Sequence, residues 1–137
     1  MSRGGTRNKE HQELVDNLLF AFGAVKNIRI WVRSVGYDSR LHIKYGENGE
    51  CDLDGIIGPW GIRFGIEVKT GDAVLSPDQV KWKNNLKRQG MIHIEARSVE
   101  QAINDFNREY LKRLDELKDY LLNSYEGKEP IAIGEGE

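Results

Sequence analysis

Between about Asn8 and Phe22 the apolar residues Leu14, Val15, Leu18, Leu19 and Phe22 recur at the spacing of one helix face, and Gly23 follows as a stop. The period then drops to two. Ile28, Ile30 and Val32 alternate with Arg29, Trp31 and Arg33, which predicts a half-buried strand. Leu41–Tyr45, Cys51–Ile57 and Ile62–Lys69 read as further short strands, separated by turns at Gly46–Gly49 and Gly58–Gly61. Ser76-Pro77-Asp78-Gln79 opens a helix with a serine N-cap, proline at the first helical position and glutamine at the third; it runs to about Gln89, and Gly90 closes it. Met91–Ala96 is a strand, and Ser98-Val99-Glu100-Gln101 is a second capping box that opens a long helix to about Asn123.

Helix, about four strands, helix, strand, helix is the order of an α/β fold with one mixed sheet flanked by helices. A strand returning after a helix predicts a parallel crossover. The 137 residues fit a single domain, placed over residues 9–126, with residues 1–8 as a flexible N-terminus and 127–137 as an acidic disordered tail. No internal repeat is present. Hydrophobic residues make up 39% and charged residues 31%, a globular composition. No apolar run approaches a membrane span and the N-terminal residues lack a signal peptide's apolar core, so a cytoplasmic location without membrane association is expected. Cys51 is the only cysteine, which excludes an intramolecular disulfide and a cysteine-based zinc cage.

Charge changes the picture once it is divided along the chain. The formal total is −2, which at face value argues against nucleic acid as a partner. Residues 115–137 hold seven acids and two lysines, a net −5, whereas residues 1–114 hold 18 basic and 15 acidic residues, a net +3. The body is mildly basic and the tail acidic. An acidic tail serves solubility, competes with a polyanion or packs on a partner chain.

Two strand segments carry carboxylates where a core strand avoids them. A period of two through Cys51-Asp52-Leu53-Asp54 puts Asp52 and Asp54 on one face, and the same alternation in Ile66-Glu67-Val68-Lys69 puts Glu67 beside Lys69. If the strands are neighbours, these groups converge on one patch of hard oxygen donors suited to Mg²⁺ or Mn²⁺. The plainer reading is a surface strand with an ordinary Glu–Lys pair. No serine, tyrosine or cysteine–histidine constellation suggests a covalent nucleophile.

Gly49-x-x-Asp52, Glu67-x-Lys69, Leu75-Ser76-x-x-Gln79-x-x-Trp82 and Gly90, in that order, resemble the virus-type replication-repair nuclease (VRR-NUC) domain of the PD-(D/E)XK nuclease superfamily. The motifs span roughly residues 46–102, and the fold would extend the match back to residue 9. The resemblance implies a restriction-endonuclease-like αβββαβ core, extended here by the long C-terminal helix. It implies that Asp52, Glu67 and the Val68 carbonyl bind Mg²⁺ or Mn²⁺, and that Lys69 sits beside the attacking water or the scissile phosphate. Asp52, not Asp54, stands three residues after Gly49, where the family places the ligand. Gln79 closes the capping box and, in the family pattern, also points to the metal. Trp82 reads as core rather than as a base-stacking residue. Cys51 departs from the pattern, which usually has proline before the aspartate.

The family also supplies a glutamate from the first helix, and here the match fails. Counting back along Leu14, Leu18 and Phe22 reaches His11, with Glu10 at the edge of that stripe and Glu13 turned away. His11 or Glu10 would complete the metal site, although a lone histidine on an apolar face is more often a core residue. Arg29, Arg33, Arg40 and Lys44 are candidate DNA-phosphate contacts, and Lys81, Lys83, Lys87 and Arg88 read as the wet side of their helix.

The implied activity is a metal-dependent, structure-specific endodeoxyribonuclease. Stand-alone members of the family resemble Holliday-junction resolvases, homodimers whose two-fold symmetry matches a four-way DNA junction. Sequence-specific restriction would need base-reading elements for which this short chain has little room. Three readings compete: a nicking or flap nuclease in a replication-repair complex, a junction-binding module that does not cut, and an interaction protein built on the long helix.

Overall fold

The first apolar ladder forms α1 (Gly5–Gly23), which buries Val15, Leu18 and Phe22 and leaves Phe20 in solvent. The computed structural model describes residues 5–33, 36–38, 40, 43–45 and 49–123. The flexible N-terminus expected over residues 1–8 is described only from Gly5, where the helix already runs. The acidic tail at 127–137 and the start of the strand expected at Leu41 lie outside the described residues.

After α1 come β1 (Ile28–Val32), β2 (Gly36–Asp38), β3 (Ile43–Tyr45), β4 (Leu53–Ile57) and β5 (Ile62–Val68). They are followed by α2 (Pro77–Arg88), β6 (Ile92–Ala96) and α3 (Val99–Asn123). The main sheet has the order β1-β4-β5-β6: the first three strands are antiparallel, and β6 joins β5 in parallel after the α2 crossover. Without the separate β2–β3 hairpin, the chain order is αβββαβ plus a long C-terminal helix. The sequence pattern misses β2, because Gly36–Asp38 is too short to display a period.

Register divides the sheet into two faces. Leu53, Gly55 and Ile57 pair with Ile66, Phe64 and Ile62, and this face receives α1 and α3. Phe22, Phe64 and Phe106 close the core there, with ring centroids 5.0 to 6.0 Å apart and two of the three pairs edge-on. The opposite face carries Asp54, Glu67 and His93, all buried, with α2 laid against β6. α2 has no fully buried residue of its own; its capping box and its polar contacts fix its place. Among the described residues no helix is long and apolar enough to cross a membrane.

Phe106 is one of two fully buried residues of α3 and contacts both other rings. Phe106→Ala should cost about 3–5 kcal/mol in urea-induced unfolding; a loss under about 1 kcal/mol would show that α3 does not close the core.

Candidate active site

Antiparallel pairing of Leu53 with Ile66 brings the start of β4 beside the end of β5. Asp52, just before β4, and Glu67, near the end of β5, therefore meet at one end of the sheet. The Val68 backbone N–H donates to Asp52 Oδ2 at 2.8 Å. In an extended strand a residue's N–H and C=O point the same way, so the Val68 carbonyl is turned toward Asp52. Lys69 is tied to the neighbouring strand through its N–H, which donates to the Ala96 carbonyl at 2.9 Å. Its ammonium lies 3.8 Å from Glu67 Oε2.

Glu67 is 3% exposed. Gln79 Nε2 donates to its Oε2 at 2.9 Å, while its Oε1 is buried with no hydrogen-bond partner among the described residues. Burial foremost, and then the Asp52 carboxylate, hold the Glu67 carboxyl well above the usual carboxylate range, with Lys69 pulling the other way. Gln79 also closes the capping box expected of it. Its N–H donates to Ser76 Oγ at 3.2 Å and its Oε1 accepts from the Ser76 N–H at 2.9 Å, so the capping box aims the free amide nitrogen at Glu67.

Gly49 ties the approach to Asp52 onto the same helix. Its φ is +84°, and a Cβ there would stand 2.3 Å from the Asp78 carbonyl oxygen. Between this loop and the first turn of α2 lies an open cavity of about 430 Å³, lined by Asp52, Arg33, Ser76, Asp78 and Gln79 among others.

Asp52 and Asp54 do not share a face. β4 begins only at Leu53, so the period of two does not reach back to Asp52. A Cβ on Gly65, the partner of Asp54, would stand 2.7 Å from Cys51 Sγ; Cys51 therefore lies on Asp54's side. Burial pushes its thiol upward, so it is inert packing that occupies the space Gly65 leaves open. Asp54 is buried and paired with Arg33 and Arg63.

α1 contributes His11, whose Nε2 is 3.5 Å from Asp52 Oδ2; Glu10 is exposed. Arg29 is exposed on β1 opposite Ile56. Arg40 is exposed, and Lys44 lies in β3 across from Tyr37. Arg33, expected as a phosphate contact, pairs through its guanidinium with the buried Glu50 and Asp54. Lys81, Lys87 and Arg88 are exposed along α2, while Lys83 is half-buried. Lys83 and Lys87 add to the burial that lowers His93 to about 4, so that imidazole is neutral under α2. Trp82 is half-buried in a cleft with Cys51, Leu86 and Met91 on the α2 face of the sheet, outside the hydrophobic core where its sequence context placed it.

Sequence reasoning missed Glu50 and Arg63. Arg63 Nε donates to the Gly55 carbonyl at 3.2 Å, and its guanidinium lies 5.5 Å from the Trp31 ring centroid. The available signal was a charged residue between Ile62 and Phe64 in a core strand, which requires a partner; only the register identifies Asp54 as that partner.

Among the described residues no three His, Cys, Asp or Glu side chains are grouped as an ion's ligands. Two carboxylates at one sheet end, one with an unpartnered buried oxygen, nevertheless suit a hard divalent cation, which takes one or two carboxylates and completes its shell with carbonyls, waters and phosphate oxygens. No family model matches the chain, and no curated protein does. Among solved structures, a VRR-NUC domain superposes with a TM-score of 0.54 at 19% identity, over 72% of this chain and 95% of that one. The chain thus has the fold of a VRR-NUC domain.

Gly49 and Gly61 both have positive φ, but a Cβ at Gly61 meets nothing within 4 Å. Gly61→Ala should cost about 1–2 kcal/mol in thermal or urea unfolding, the penalty of the left-handed backbone. Gly49→Ala should cost clearly more, because α2 must move. Equal losses would mean that the loop and helix are not in contact.

Proposed function

We propose that the protein is a Mg²⁺- or Mn²⁺-dependent, structure-specific DNA endonuclease, a Holliday-junction resolvase acting as a homodimer. The observation that carries this reading is the convergence of Asp52, Glu67, Lys69 and Gln79 on one sheet end, with a buried Glu67 oxygen that lacks a partner. The VRR-NUC fold supports it independently.

Asp52, Glu67 and the Val68 carbonyl would hold the metal. Once bound, the ion supplies Lewis acidity and lowers the pKa of its water. The chain's own residues do the rest. The Val68 N–H and His11 fix Asp52, and the Gln79 amide fixes Glu67, so neither carboxylate has to reorganise when the phosphate arrives. The Lys69 ammonium, close to the Glu67 oxygen, orients the attacking water and offsets charge developing on the scissile phosphate. Hydrolysis is direct, with no enzyme-bound covalent intermediate. His11, with its Nε2 3.5 Å from Asp52 Oδ2, would take the place where the family supplies a carboxylate, beside Asp52 and the metal. A two-fold dimer places one such site on each of two opposed strands of a four-way junction, and the small domain reads branch shape rather than base sequence.

The test is cleavage of an end-labelled four-way junction and a flap of the same sequences, with Mg²⁺ or Mn²⁺ and with EDTA. Cleavage should need the metal and favour the junction, and the protein should elute as a dimer. Asp52→Asn and Lys69→Met should fold as wild type and lose at least about 10²-fold in rate. Wild-type rates in both variants would overturn the site. Flap cleavage by a monomer would leave a nuclease but not a resolvase, and tight junction binding without cleavage in either metal would make it a binding module.

A further inference from the structure

An ionic network centred on Arg33 lies beside the proposed metal ligands. Three contacts hold this residue against the segment that carries Asp52. Its backbone N–H donates to the Asp52 carbonyl at 2.9 Å. Its guanidinium pairs through Nε with Glu50 and through Nη1 with Asp54. These carboxylates stand two residues before and two residues after Asp52, and both are buried. Arg63 reaches Asp54 from β5, so two guanidinium groups balance two carboxylates and the network adds no net charge beside the site.

Resting on the metal-site reading above, we propose that Arg33 is a positioning residue for Asp52 and not a DNA contact. Asp52 lies outside the regular ladder of β4, so sheet hydrogen bonds alone do not set its backbone. A planar guanidinium with donors in fixed directions can grip carboxylates on both sides of one residue, whereas an ammonium offers a point charge. The fork of Arg33 spans residues 50 to 54 and fixes the backbone between them. The Asp52 side chain is thereby presented to the Val68 N–H and toward Glu67. Trp31, two residues before Arg33, faces the same Arg63 guanidinium, so β1, β4 and β5 are tied together at this end of the sheet.

The experiment measures Mn²⁺ affinity by electron paramagnetic resonance in the absence of DNA, together with junction affinity as a function of salt. The proteins are wild type, Arg33→Met, Arg33→Lys, Glu50→Gln and Asp52→Asn. Arg33→Met should weaken Mn²⁺ binding about 10–100-fold, the usual cost of losing a group that orients a metal ligand. Arg33→Lys should restore only part of that loss. Junction binding without metal should keep its wild-type salt slope in both. Circular dichroism checks that each variant is folded. If Arg33→Met does not fold, Glu50→Gln removes one arm of the grip and leaves Arg33, which is partly exposed, paired with Asp54, and it should weaken Mn²⁺ binding several-fold.

Wild-type Mn²⁺ affinity in the folded Arg33 and Glu50 variants, with Asp52→Asn impaired, would overturn the positioning role and leave the metal site standing. A salt slope reduced by about one in Arg33→Met would make Arg33 a phosphate contact instead. Wild-type Mn²⁺ binding by Asp52→Asn would be the separate failure of the metal-site reading itself.

Discussion

Glu67 imposes the constraint on which the rest of the site depends. A carboxylate that is 3% exposed inside a four-stranded sheet carries a desolvation cost that the protein meets only in part. Gln79 and Lys69 answer one of its oxygens and leave the other bare. A buried acceptor without a partner costs on the order of 1–3 kcal/mol. Selection for stability alone would favour an apolar residue at this position. A cation held between Glu67 and Asp52, as proposed, would resolve the conflict, because it would meet the bare oxygen and offset the repulsion between the two carboxylates. The fold around them keeps that place fixed.

Two devices deliver Asp52 to it. From the α2 side, Gly49 lets the loop touch the Asp78 carbonyl, and the capping box of that same first turn directs Gln79 to Glu67. From the β1 side, the Arg33 N–H holds the Asp52 backbone. The apolar layer around Phe64 and the polar layer under α2 are separated by the sheet, so the ionic groups do not compete with the hydrophobic core. This arrangement explains why α2 buries no residue completely yet has a defined place: it is held by directed hydrogen bonds at its N-terminus and by half-buried contacts from Trp82 and Leu86.

Most of the fold was legible because it depends on local signals. The ladder Leu14, Leu18, Phe22, the alternation in Ile28–Val32 and the Ser76–Gln79 box each specify an element without reference to the rest of the chain. The parallel β6 followed from a helix placed between two strands. The pairing of Asp52 with Glu67 was legible from the order of the family's motifs; the third-residue position of Gln79 gave its capping box, and only the family pattern turned it toward the site. What failed was non-local. Alternation assigned Asp52 and Asp54 to one face because nothing in the sequence marks Leu53 as the first residue of the ladder. Arg33 read as a surface cation because its partners, Glu50 and Asp54, are known only once β1 lies beside β4. Arg63 was missed for the same reason. His11 was one of two choices on a helical wheel, and only the packing of α1 brings it to Asp52.

The central claim is that the Asp52–Glu67 end of the sheet is a divalent-metal site. The most direct measurement is anomalous diffraction from crystals grown or soaked with Mn²⁺. The account predicts one peak, or a close pair, within coordination distance of the Asp52 and Glu67 carboxylate oxygens and the Val68 carbonyl, with the Lys69 ammonium beside it. A fully occupied ion elsewhere, with Asp52 and Glu67 left uncoordinated, would contradict it.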